Sequence, residues 1–126
     1  MLNRFPNDME KVCEYDPAIY PRRLWVSVGA STKELNEMFM GIEDVDDTAI
    51  AVTYDTYRKE DNYAGVLVRF RNRIDITPSV IAHEATHAAL NIYEYVGAEV
   101  DTKNQEPFAY LLGWIADCIW KTKLGK

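Results

Sequence analysis

The residues that most often carry metal and redox chemistry are scarce in this sequence: two cysteines and two histidines among 126 residues. Cys13 and Cys118 lie far apart and form no Cys-x-x-Cys pair, so neither points to a zinc knuckle. They read as two reduced thiols of a cytoplasmic protein. Positive charge is also short. Lysine and arginine number 14 against 20 acidic residues, a net charge of −6, and a nucleic-acid partner would need a basic footprint. No apolar run approaches the ~20 residues of a membrane span, so no membrane partner is expected. The N-terminal stretch MLNRFPNDMEKVCEY lacks the apolar core of a signal peptide. There is no internal repeat and no low-complexity linker. What remains is a chain with 48% hydrophobic residues, enough to bury a core. Its length suits one domain covering residues 1–126.

Along the chain, Pro6, Pro17 and Pro21 punctuate the opening, leaving room for at most a short helix between Asn7 and Glu14. Leu24-Trp-Val-Ser-Val28 alternates as a strand does, with Gly29 as its stop. Ser31-Thr-Lys-Glu34 is a capping box. Leu35, Met38, Phe39 and Ile42 then follow at helical spacing, with Gly41 as the expected stop. Glu43-Asp-Val-Asp-Asp47 is an acidic loop without the glycine and spacing of an EF-hand, and it reads as solvated. Ala49 to Tyr57 and Gly65 to Arg73 read as strands joined by a polar turn. In the second of these, Val66, Val68 and Phe70 form the buried face, and Leu67, Arg69, Arg71 and Arg73 form a solvated one. Thr77-Pro78 opens a helix that should run to about Tyr95, with Gly97 past its end. A last helix starts at Asn104 as its cap, with Pro107 in its first turn. Its apolar stripe is Phe108, Leu111, Leu112, Ile115, Ile119 and Trp120.

Both histidines fall in one short stretch, His83-Glu-Ala-Thr-His87, inside the helix that Thr77-Pro78 opens. Positions i and i+4 share a helix face, so His83 and His87 can grip one metal ion. Glu84 follows the first of them and can reach a water on that metal. Two neutral imidazoles, a carboxylate base and an open position are the working parts of a zinc peptidase. Zn(2+) is therefore the expected cofactor, and Glu84 the expected general base.

A catalytic zinc usually takes three protein ligands, and no third histidine exists. Glu94 lies on the same helix, about two turns past His87, and cannot easily fold back. Glu99 and Asp101 lie in the connection after the helix. Glu106 lies in the first turn of the next helix, a rigid position facing the pair if the two helices are antiparallel. Cys118 is a weaker candidate. Glu106 leads, with Glu99 and Asp101 open.

The stretch His83-Glu-Ala-Thr-His87, then eighteen residues, then Glu106-Pro-Phe-Ala-Tyr110, resembles the zincin metallopeptidases of the Glu-zincin branch. It is similar to small prokaryotic and phage-borne members. The resemblance covers residues 78–115 and implies that His83, His87 and Glu106 are ligands and Glu84 the base. Asn104-Gln-Glu106 stands where such sequences usually have Asn-Glu before the ligand helix. Tyr93 occupies the place where a metzincin would have its third ligand. The expected fold is α+β. It has a small twisted, mostly antiparallel sheet of three or four strands with helices on one face, and the last helix completes the site. The expected activity is hydrolysis of a peptide or protein substrate. Tyr110, one turn from Glu106, is a candidate for oxyanion stabilisation, as are Tyr63, Tyr93 and Tyr95. Either strand 49–57 or strand 64–73 could pair as an edge with an extended substrate. The rival reading is a catalytically silent zincin-like binding module, motivated by the chain's small size. A third is a structural domain in which the histidines bind nothing. The sequence leaves the oligomeric state unknown.

Overall fold

The alternation in Leu24-Trp-Val-Ser-Val28 sends Leu24 and Val26 to one side of a strand and Trp25 to the other, and all three are fully buried. A strand buried on both faces must lie inside a sheet covered on both faces. The computed structural model shows such a sheet; it describes residues 11–42 and 48–125, and the backbone of residues 3–4. The chain is α+β. Its strands are β1 (Asn3–Arg4), β2 (Val12–Tyr15), β3 (Arg23–Val28), β4 (Ala51–Arg58) and β5 (Tyr63–Phe70). They lie in the order β1-β2-β3-β5-β4. The pair β3–β5 is parallel and the other three pairs are antiparallel. The sheet is thus mixed but mostly antiparallel, as expected. Its body is the four strands β2 to β5, with the two-residue β1 as an extension. The acidic stretch 43–47 lies outside the described residues.

Three helices flank it: α1 (Thr32–Met38), α2 (Pro78–Val96) and α3 (Glu106–Leu124). Each of the first two starts where its cap residues place it. Ser31 and Glu34 form the reciprocal capping box of α1. Thr77 accepts from the Val80 N–H at the head of α2, and Gly97 closes the helix in the left-handed region at φ 76°. α3 departs from expectation at its start. Gln105, not Asn104, is its N-cap, and it makes no side-chain cap. None of these helices is long and apolar enough to cross a membrane.

Four expectations need correction. First, the helices cover both faces of the sheet. α2 and α3 pack on the face of Leu24, Val26, Val66, Val68 and Phe70. On the other face Leu35 of α1, with Phe39 and Ile42 just beyond the helix, packs with Val12, Trp25 and Leu67. Second, and for that reason, the arginine row of β5 is not a solvated face. Arg69 is 3% exposed and donates to the Ala30 carbonyl at 3.3 Å. The strand ends at Phe70, so Arg71 leaves it and pairs with Asp75. Third, residues 12–15 form a strand rather than part of a helix, because pairing with β3 decides their conformation. Fourth, Trp120 lies outside the α3 stripe at 46% exposure, while Cys118 takes a place in the core.

Candidate functional site

The alanines of α2 explain how close it comes to the sheet. Ala85, Ala88 and Ala89 are fully buried against it, and small side chains permit close approach. The neighbouring stripe of the helix therefore sits at the rim of the sheet, beside β4. That stripe holds His83 and His87, both exposed, while Glu84 is turned inward at 6% exposure.

Three functional groups converge here. The Nε2 atoms of His83 and His87 stand 3.2 Å apart, with the rings nearly perpendicular at 76°. Glu84 Oε1 accepts a hydrogen bond from Thr53 Oγ1 on β4 at 2.7 Å. Its other oxygen, Oε2, is 3.9 Å from His83 Nε2. A carboxylate this buried needs donors, and Thr53 holds one of its oxygens while the other faces the histidines. The three side chains share a cleft of about 360 Å³ with Ala51, Val52, Thr53 and Asn91.

The cleft runs beside the outermost strand of the sheet. β4 is the last strand of the sheet and β5 is paired on both sides, so of the two strands considered for substrate pairing only β4 is available. Its C-terminal half is already engaged. Met40 N–H donates to the Tyr57 carbonyl and Lys59 N–H to the Met38 carbonyl, and Phe39 bridges to Arg58. Among the described residues, the open part of the edge is the N-terminal half, beside Glu84.

The donor set fits a zinc ion. Two imidazole nitrogens at ~2.0–2.1 Å from a tetrahedral zinc lie roughly 3.3 Å from each other. The observed separation of 3.2 Å matches that bite. The third ligand is not in place beside them. Among the described residues no three His, Cys, Asp or Glu side chains form a group that could hold a metal ion. Glu106 is exposed in the first turn of α3. Besides Glu84, the carboxylates Glu94 and Glu99 share a pocket with His87, in an adjoining hollow of about 520 Å³. Asp101 is exposed in the connection and accepts from the Lys103 N–H. Cys118 is no ligand: burial pushes its thiol up to about 12, and it lies in the α2–α3 core.

Of the tyrosines named from the sequence, Tyr93 lines the hollow that His87 shares with Glu94 and Glu99, and the other three lie elsewhere. Tyr110 is 74% exposed and borders an apolar hollow of about 410 Å³ with Ile19, Pro107 and Trp114, apart from the histidines. Tyr93 packs on Phe108 in the helix interface. Tyr95 lies against Arg22, and Tyr63 against Arg23. Two residues at the cleft escaped the sequence reading. Thr53 sits mid-strand with no distinguishing neighbour. Asn91 follows His87 by one helical turn, and the spacing 83, 87, 91 is a signal that could have found it.

No family model, curated protein or solved structure matches the chain.

Proposed function

We propose that the chain is a zincin-type, zinc-dependent peptidase whose metal is held by His83 and His87 and whose general base is Glu84. The observation that carries this reading is the convergence of the two Nε2 atoms, at zinc-bite separation, with an inward carboxylate oxygen 3.9 Å from one of them. The chemistry such an ion supplies when bound is Lewis acidity, which polarises a carbonyl and makes a water acidic near neutral pH.

The chain's own groups do the rest. Thr53 fixes Glu84 through Oε1, which leaves Oε2 to take a proton from a water in the cleft and return it to the leaving amine. The open half of β4 offers backbone N–H and C=O groups to an extended peptide. The third ligand comes from the segment after α2. Glu106 has the spacing for it, and Glu99 shares a hollow with His87.

Glu84→Gln tests the role of the base. The amide oxygen still accepts from Thr53, so the variant should fold and hold zinc like wild type. It should lose hydrolysis of a mixed peptide pool by at least ~100-fold, the scale of a removed acid–base group. If the substitution strips the metal, Glu84 is a ligand instead. If wild type and variant are equally inert, the chain is a zinc-holding binding module, the second reading. Zinc affinities of Glu106→Gln, Glu99→Gln and Asp101→Asn assign the third ligand by the largest loss.

A further inference from the structure

Asn91 shares the histidine cleft with His83, Glu84 and His87, and its side chain is locked from behind. Its Oδ1 accepts from Arg22 Nη2 at 2.7 Å. An arginine nitrogen can only donate, so the atom it touches is the amide oxygen and the orientation of the amide follows. Arg22 is itself immobilised. It is 1% exposed, its Nη2 also donates to Asp55 Oδ1 and to the Gly65 carbonyl, and its guanidinium lies 4.2 Å over the Tyr95 ring. Such a side chain has neither room nor free rotation to follow a ligand. Its effect is to hold Asn91 in one rotamer.

Among the described residues, the amide nitrogen of Asn91 meets no acceptor and keeps two N–H groups. Arg22 holds the amide oxygen, so the nitrogen is the polar atom left for the spaces that Asn91 borders, the histidine cleft and the adjoining hollow beside His87. Four helical residues separate Asn91 from His87, a rise of ~6 Å. Along an extended peptide, carbonyls on the same side recur every two residues, at roughly 6.6 Å. A peptide whose scissile carbonyl lies at the histidine pair therefore brings another carbonyl to Asn91.

We propose that Asn91 is a substrate-binding residue: its amide nitrogen, aimed by Arg22, donates a hydrogen bond to a backbone carbonyl of a peptide lying along the histidines. Arg22 is the positioning residue behind it. The proposal rests on the peptidase reading above, because it needs a peptide in that cleft.

The test compares two probes on the zinc-loaded chain, by titration calorimetry. Acetohydroxamate reaches only the metal. Acetyl-Leu-Gly-hydroxamate carries the same chelating group with backbone carbonyls attached. The readout is the ratio of the two affinities, which cancels any general effect of charge on the metal. Two variants are used. Asn91→Asp keeps an oxygen for Arg22 and removes the donor; Asn91→Ala removes both. The ratio should fall by about 5- to 10-fold in both variants, the scale of one neutral hydrogen bond. Zinc affinity and acetohydroxamate affinity in Asn91→Ala should stay within ~2-fold of wild type.

A ratio unchanged in both variants overturns the proposal. A ratio lowered only in Asn91→Ala also overturns it, since Asn91 would then matter only as a partner for Arg22. A wild-type ratio of one shows that no backbone carbonyl is read and overturns it too, leaving the metal site standing. Failure of wild type to bind zinc removes both the proposal and the peptidase reading, and is seen before either hydroxamate is added.

Discussion

The two faces of the sheet handle polar groups in opposite ways. On the α1 side the carboxylate of Glu14 and the guanidinium groups around it close one another off. Glu14 is 9% exposed, accepts from Trp25 Nε1, and pairs with both Arg23 and Arg58. Arg69 is spent on the Ala30 carbonyl. On the α2 side, polar groups at the β4 rim are each held at one atom and open at another. Glu84 is fixed through Oε1 by Thr53, and Asn91 through Oδ1 by Arg22. Among the described residues, the histidine nitrogens meet each other and Glu84. Saturation makes the first face a stability element. Partial fixation makes the second the candidate site, because a group oriented by one bond and open at another atom is what a ligand needs.

The sharpest way to break the comparison is at Gly65, where the closed face is tightest. A Cβ there would run into the Trp25 ring and come within 2.5 Å of the Arg23 carbonyl oxygen. Gly65→Ala should cost about 3 kcal/mol in urea unfolding, at the upper end for an overpacked core. A loss under ~1 kcal/mol would show that Trp25 moves aside freely.

Glu14→Gln comes next. It leaves the Trp25 N–H an acceptor but strips Arg58 and Arg23 of their shared buried charge. The expected destabilisation is about 2 kcal/mol, with zinc binding unchanged. A change in zinc affinity would mean that the two faces are coupled.

On the open face, Thr53→Val removes the hydroxyl that donates to Glu84 and keeps the shape of the side chain. Stability should fall by only about 1 kcal/mol, while peptide hydrolysis should drop more steeply because Glu84 is no longer oriented. A variant that loses stability but no activity would make Thr53 a structural partner alone.

The smallest effect lies at the rim of the closed face. Hydrogen bonding from Arg58 holds the exposed Asp61 carboxyl below its ordinary 3.8, at about 2. A depressed carboxyl stabilises the fold above its unfolded value and loses that contribution as pH falls through the folded one. Asp61→Asn should therefore be slightly less stable than wild type near neutral pH. The gap should close as pH falls from about 4 to 2, as read by thermal melts across that range.

What the sequence made legible was local. The Ser31–Glu34 box, Thr77-Pro78 and Gly97 marked helix ends because caps act within a turn or two. His83, Glu84 and His87 were legible as one face because helix geometry alone brings them together. Val12–Tyr15 was not, since only the partner strand β3 makes it extended. Arg69 was misplaced because a strand pattern shows which residues share a face but not whether a helix covers the other one. Glu106 and Tyr110 depended on how far α3 slides along α2. That offset is set by contacts such as Tyr93 on Phe108, which no spacing rule contains. Arg22, in a stretch broken by prolines, gave no sign that it would lie beneath Asn91.

The central claim is that His83 and His87 hold a metal, and metal content tests it most directly. Wild type and His87→Ala, each purified without chelator or histidine tag, are compared by inductively coupled plasma mass spectrometry. His87 is exposed, so its replacement should leave the fold intact by circular dichroism. The account predicts about one equivalent of zinc in wild type and a large loss in the variant, since one of the ion's few protein ligands is gone. Equal zinc in both proteins, or none in wild type after zinc is supplied, would contradict it.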